Sequence, residues 1–237
     1  MTQTARAARP IIVFDLDGTL VDHTARMYCL YRQYLGSQGL APIALDDYKA
    51  LKLAGTSERD IAARALPEPQ LSRYLKWKID HIEDRESLRL DVLMPDAVET
   101  LRRLHGRCRL ILLTARQRRM RSIRQLHDLD IRRYFDVVIT CPGHNDVESK
   151  HGAIAAYLGR RYPGHLADPR RRLLWVGDTE REIEVARRLN APVFCVATGV
   201  RSEAYLRSRR PDLTLRRLSE IPDDPWAGLD TREPPAD

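Results

Sequence analysis

Asp15 and Asp17 are separated by one residue and followed by Gly18 and Thr19. The run before them, Ile11 to Phe14, is apolar and mostly β-branched, and it stops abruptly at Asp15. On an extended chain, side chains at i and i+2 point to the same side. A glycine just after them lets the backbone approach an anion closely. Phosphoryl chemistry requires an in-line nucleophile, amide donors and a counter-cation, and this strand end offers the right residue types for it.

Three further positions repeat that placement. Thr114, followed by Ala115 and Arg116, closes the apolar run 110–113, where a hydroxyl and the next amides would face a phosphate oxygen. Asp178 follows the run 173–176 and Gly177 and opens a helical pattern, an apt place for a metal ligand; Glu182 lies four residues on. Lys150, the only lysine after residue 78, falls on the loop after the run 137–139, ahead of a helix expected over 151–159. It would supply one compact positive charge. Singly, each of these residues is an ordinary turn, cap or solvated group. Their joint recurrence at strand ends, where open α/β sheets place their sites, is what points to chemistry.

The elements that must position them follow from hydrophobic patterning. Apolar runs at 11–14, 110–113, 137–139, 173–176 and 193–196 read as buried parallel strands. Helical patterns separate them. Residues 97–104 put Val98, Leu101 and Leu104 on one face; 120–129 do so with Ile123, Leu126 and Leu129; 180–189 turn Ile183, Ala186 and Leu189 inward. Alternation of this kind predicts an α/β fold, a doubly wound, Rossmann-like, mostly parallel sheet with right-handed crossovers. Between about 23 and 94 there is no convincing strand, only helical stretches near 25–35, 45–53, 58–65 and 71–83. The expected division is a catalytic core of 1–22 and 95–222, an inserted all-helical cap of 23–94, and a flexible Pro-rich tail of 223–237 with Trp226 as its anchor. The first ten residues read as a disordered leader without the apolar stretch of a secretory signal.

Composition narrows the function classes. A chain of 237 residues, 43% hydrophobic and 31% charged, is globular rather than disordered. No apolar run approaches the roughly 20 residues of a membrane span, so a cytoplasmic protein with no membrane partner is expected. The net charge is +7, with only five lysines among 40 basic residues. Such arginine excess suits phosphorylated ligands, but it is spread along the chain without a nucleic-acid motif, so nucleic acid is the lesser reading. Four irregularly spaced cysteines without a CxxC pair imply reduced thiols and no zinc site.

The constellation resembles the haloacid dehalogenase-like superfamily of phosphatases, over nearly the whole chain. Residues Phe14-Asp15-Leu16-Asp17-Gly18-Thr19-Leu20-Val21-Asp22 look like its first motif, Thr114 its second, Lys150 its third and Gly177-Asp178 its fourth. The stretches 94–101 and 134–138, with the helical insert, look like the phosphoglycolate phosphatase/β-phosphoglucomutase group. The resemblance implies that Asp15 attacks phosphorus and Asp17 shuttles the proton. It implies that Thr114 and Lys150 hold phosphoryl oxygens, with Gly18 and Ala115 beside them. It also implies Mg²⁺ on the Asp15 carboxylate, the Asp17 main-chain carbonyl and the Asp178 carboxylate. Retention of Asp17 favours phosphoryl transfer over dehalogenation. The sequence departs from the pattern at Glu182, which stands where an aspartate is usual, and at His151, which follows Lys150 where proline is common.

The expected activity is hydrolysis of a small phosphorylated metabolite by a monomer or homodimer. The alternatives are a phosphomutase with the same nucleophile, or a non-catalytic phosphate- or nucleic-acid-binding protein on this scaffold. The cap loop 53–59 brings Thr56, Ser57 and Arg59 as substrate contacts, although Thr56 or Ser57 serves equally as the cap of the helix starting near Glu58. Arg116 is a candidate for a second anionic group on the substrate, or one of an exposed basic face over 116–124. His23 reads as a surface histidine near the cap hinge.

Overall fold

The computed structural model describes residues 9–141, 146–163, 172–227 and 229. The first eight residues of the expected ten-residue leader, and 228 and 230–237 of the expected tail, lie outside the described residues. Six strands form one parallel sheet in the order β5-β4-β1-β6-β7-β8. They are β1 (Ile11–Phe14), β4 (Arg109–Thr114), β5 (Val137–Thr140), β6 (Leu173–Gly177), β7 (Val193–Val196) and β8 (Leu213–Leu215). The chain builds outward from β1 to one edge and then returns to the other side, so the carboxyl end of β1 lies near the reversal where such sheets bind ligands. β1 is fully buried because its side chains alternate between two cores: Ile12 and Phe14 join one, Ile11 and Val13 the other. Burial on both faces is why the run reads as continuously apolar.

The helices flanking the sheet are α6 (Ala97–His105), α7 (Arg119–Asp128), α8 (Val147–Arg161), α9 (Glu180–Arg188) and α10 (Glu203–Ser208). One expected inward residue points out: Val98 is exposed, because the buried stripe of α6 runs through Ala97, Leu101 and Leu104. The buried stripe of α7 runs through Ser122, Gln125 and Leu126. Helix α8 starts earlier than the apolar pattern indicates. Asp146 caps it by accepting from the Ser149 amide at 2.7 Å, so Lys150 sits in its first turn rather than on the preceding loop.

Residues 24–88 carry α1 (Thr24–Ser37), α2 (Leu45–Leu53), α3 (Glu58–Ala62), α4 (Gln70–His81) and the short α5 (Arg85–Leu88). They enclose an aromatic-rich core of their own, with Tyr31, Tyr34, Tyr48 and Tyr74 in mutual ring contact. The segment is bounded by a ribbon the sequence reading lacked, β2 (Val21–Asp22) antiparallel to β3 (Val92–Leu93). Two residues per strand are too few to show a period. β8, with three residues, is likewise too short to stand out from the sequence. The start of the expected tail is docked: Trp226 is buried in the sheet core and Arg103 pairs with Asp223. Among the described residues no helix is long and apolar enough to cross a membrane, and the four cysteines are unbridged.

Candidate active site

Asp15 follows β1, and its amide donates to the Val176 carbonyl of β6, which fixes the backbone at the strand end. Lys150 reaches in from α8 and donates to Asp15 Oδ1 at 2.7 Å and to Glu182 Oε1. Glu182 also closes the capping box of α9, accepting from the Thr179 amide and hydroxyl. The longer side chain thus serves the helix terminus and the lysine at once. Gly177 is required beneath it, since a Cβ there would lie 2.2 Å from Glu182 Cγ.

Asp178 is fully buried at the end of β6. It accepts from the Val200 amide at 3.1 Å and from the Thr19 hydroxyl at 3.4 Å. Gly18, at φ +90°, and Gly199 press on it so closely that a Cβ on either would stand about 2 Å from Oδ2. Thr114 is buried, and its Oγ1 accepts from the Arg116 amide at 3.3 Å. Ala115 lies between them, half-buried.

Charge balance divides this pocket in two. Asp15, Asp178 and Glu182 are buried carboxylates facing one ammonium, Lys150, so that with all three ionised two negative charges would stand uncompensated. Burial pushes Asp15 up to about 7 against the pull of Lys150, and burial with the charges of Glu182 and Asp15 raises Asp178 well above the carboxylate range. Lys150 is raised: burial opposes its charge, but Asp15 and Glu182 outweigh burial. Glu182 is lowered, Lys150 outweighing its burial.

Asp17 belongs to the other half. Its side chain turns to Arg116 (Nε to Oδ2 2.8 Å, Nη2 to Oδ1 2.7 Å) and to Arg26 of α1. Burial alone would raise Asp17, but the two guanidiniums hold it well below the usual range. Both arginines also bind Asp91, Arg26 at 2.8 Å and Arg116 at 2.9 Å, and Gln125 completes the group. Arg116 is therefore neither an exposed residue of a basic face nor free for a second substrate anion: it is buried, and its donors are taken. Arg26, Asp91 and Gln125 carry no signal in the sequence, because their partners lie 9 to 65 positions away.

The cap-loop candidates fare differently. Ser57 caps α3, accepting from the Asp60 amide at 3.1 Å. Thr56 is half-buried, its amide bonded to the Leu51 carbonyl, and Arg59 is exposed and paired with Glu68. The side chain that turns inward from this loop is Glu58, bound by Lys78 at 3.0 Å, Tyr48 at 2.6 Å and Tyr74 at 2.5 Å. His23 is buried rather than at the surface, and its Nδ1 has no partner among the described residues. Burial lowers it to about 4.

Several ties hold the helical segment against the sheet domain, among them ion pairs of Arg118 and Arg121 with Asp84; three others bear on the site. One is the Arg26–Asp17 pair. Another is Glu83, which accepts from the amides of Gln117 and Arg118 just ahead of α7, a helix with no acid in its own first turn. The third is Arg201, which grips Glu180 at 2.8 and 3.0 Å and donates to the Lys52 carbonyl at 3.0 Å.

Among the described residues no three His, Cys, Asp or Glu side chains converge as a metal cage. The Asp17 side chain is turned away, which leaves the carboxylates of Asp15 and Asp178. The donor set nevertheless fits a hard divalent cation: oxygen ligands, buried, with a deficit of two positive charges.

A parallel sheet carrying acids at the ends of β1 and β6, a lysine from α8 and a helical excursion after β1 defines a class. The chain belongs to the haloacid dehalogenase-like hydrolases, whose family model matches residues 12–196. Within that family it is similar to phosphoglycolate phosphatases at modest identity. A phosphoglycolate phosphatase of Agrobacterium fabrum is 28% identical over 219 residues, 90% of each chain. A pyrophosphatase PpaX of Bacillus cereus is 24% identical, covering 89% of this chain and 93% of that one. In fold, the chain is similar to a haloacid dehalogenase-like hydrolase of Streptococcus pneumoniae (TM-score 0.73, 19% identity, 90% of this chain and 96% of that one). It is also similar to a subfamily IA hydrolase of Geobacter sulfurreducens (TM-score 0.63, 20% identity, 93% and 98%).

Proposed function

We propose that this chain is a Mg²⁺-dependent phosphatase that hydrolyses a small organic phosphomonoester through an aspartyl-phosphate on Asp15. The observation that carries it is the pairing of Asp15 with Lys150 in a buried pocket two positive charges short. An ionised carboxylate at a strand end is a nucleophile; next to an anionic phosphate it requires local positive charge.

Asp15 and Asp178 would hold the cation by carboxylate oxygens, with the Asp17 main-chain carbonyl beside them. When bound, the cation neutralises repulsion between carboxylate and phosphate. Lys150 fixes one oxygen of Asp15 and is close enough to share a phosphoryl oxygen, and Thr114 stands at the neighbouring strand end for another. In the first step a bond forms from an Asp15 oxygen to phosphorus, and the bond from phosphorus to the leaving oxygen breaks. Asp17 gives that oxygen its proton, so an alcohol departs. In the second step water attacks phosphorus, Asp17 takes its proton, and Asp15 is released with inorganic phosphate. The clamp on Asp17 bears on this sequence: while Arg26 and Arg116 both hold it, the carboxylate carries no proton. Protonating the leaving oxygen therefore requires those contacts to loosen.

The names of the relatives support 2-phosphoglycolate as the first compound to try. The test is phosphate release from 2-phosphoglycolate and an aryl phosphate, with and without Mg²⁺, for the wild type and Asp15→Asn. Activity that needs Mg²⁺ and vanishes in the variant is expected. Equal rates for the two proteins would sink the reading.

A further inference from the structure

The segment 24–88 and the loop at 199–200 enclose a cavity of about 110 Å³, lined by Thr24, Met27, Tyr48, Lys52, Gly199 and Val200 among others. It adjoins the acidic pocket: Gly199 lies against Asp178 and the Gly18 carbonyl, and the Val200 amide bonds Asp178. The cavity has room for only a few heavy atoms, well under the usual small-molecule pocket of roughly 300 Å³ or more.

One polar group in the wall of this cavity, and one next to that wall, are not used by anything described above. The first is Lys52, the last basic residue of α2, whose side chain is 12% exposed. Its one ion pair is a long 3.7 Å contact with Glu58, and that carboxylate is already bound by Lys78, Tyr48 and Tyr74. One carboxylate shared by two buried ammoniums leaves a positive charge over, and Arg201 and Arg181 add to the positive field at Lys52. The second is His23, buried, with Nδ1 unpartnered. It precedes Thr24 of the cavity wall, and the charges that act on it are those of Asp17, Arg26, Arg116 and Lys52. A buried polar atom without a partner is rare and calls for a ligand or a solvent molecule.

We propose that Lys52 and His23 form a leaving-group subsite, in which the Lys52 ammonium and the His23 ring nitrogen receive a second anionic group carried by a short phosphomonoester. This rests on the phosphatase reading for the site beside it. Lys52 supplies the charge and His23 the directional contact, and the small cavity excludes long alcohols. The same wall discriminates against a neutral leaving group, which would leave the ammonium without its counter-charge. Lys52 and His23 are thus specificity-determining residues, separate from Asp15, Lys150 and Asp178.

The test is calorimetric binding to the Asp15→Asn protein with Mg²⁺, so that turnover is not required. The probes are 2-phosphoglycolate and its neutral counterpart of similar length, 2-hydroxyethyl phosphate. Adding Lys52→Met should weaken 2-phosphoglycolate binding roughly 10- to 100-fold, the usual worth of a charged hydrogen bond. The loss on 2-hydroxyethyl phosphate should be a few-fold at most, and Lys52→Arg should recover most of the carboxylate binding. His23→Phe should reduce the same preference. Equal losses on both probes, or none on either, would overturn the subsite. Glu58 keeps Lys78, Tyr48 and Tyr74 in the variant, so the segment retains its core. If the wild type binds as described yet releases no phosphate, the phosphatase reading fails and the subsite stands.

Discussion

Arg116 holds the carboxylate of Asp17 with two hydrogen bonds, at 2.8 and 2.7 Å, and the same guanidinium binds Asp91 at 2.9 Å. One side chain from the end of β4 therefore neutralises an acid of the β1 loop and an acid at the exit of the helical segment. Truncating it leaves Asp91, whose side chain is wholly buried, with Arg26 as its one remaining cation among the described residues. Arg116→Ala should cost about 3 kcal/mol or more, as expected when one member of a buried charge network is removed. Urea unfolding at neutral pH measures it. Asp17 is depressed in the fold, so its stabilisation is full above the unfolded value near 3.8 and is lost as pH falls through the lowered one. The gap between wild type and variant should accordingly narrow in acid.

His23 gives a pH dependence of stability in a separate window. Its folded value, about 4, lies below the unfolded 6.5. Between the two, the unfolded chain binds the proton and the folded one does not, so stability falls as pH drops from 6.5 toward 4. Over the whole interval the linkage amounts to about 3 kcal/mol. His23→Phe should flatten the slope between pH 6.5 and 4.5, above the region where carboxylates join. Thermal melts across that range check it; an unchanged slope in the variant would assign the effect elsewhere.

Gly199→Ala tests the packing around Asp178. The new Cβ would stand 2.0 Å from Asp178 Oδ2 and 2.6 Å from the Gly18 carbonyl, so either the carboxylate or the loop must move. A displacement of that order at a reacting centre costs about 100-fold in rate. Turnover should fall by that much, and the Mg²⁺ concentration for half-maximal activity should rise. Wild-type kinetics would show that the loop yields freely.

The Arg201 tie predicts a conformational effect. Arg201→Ala removes both the Glu180 pair and the bond to the Lys52 carbonyl. Hydrogen exchange should quicken at 50–57 while the amides of β1 and β6 stay protected. Uniformly faster exchange would mean that Arg201 serves global stability instead.

The polar residues now gathered around β1 were readable because each follows an apolar run, and a strand end is a local signal. Asp15, Thr114 and Asp178 all carry it, while Lys150 stands out only as a lone lysine in an arginine-rich stretch. Glu182 carried a second one, the capping box with Thr179. The partners of Asp17 carried none. Arg26 and Asp91 stand 65 residues apart, and in a chain so rich in arginine neither is conspicuous. Arg116 was noticed, but its burial was not legible, since burial of a charge depends on counter-charges that only the fold assembles. Lys150 was placed one turn wrong because an Asp146 cap lengthens a helix without adding an apolar residue.

The ribbon of Val21–Asp22 against Val92–Leu93 puts the departure and return of the helical excursion side by side. Strands so paired are about 5 Å apart, a gap that a tight turn closes. Residues 23–91 between them are topologically a pendant: another excursion of any length could be spliced at the same two positions without altering the order or register of the six-stranded sheet.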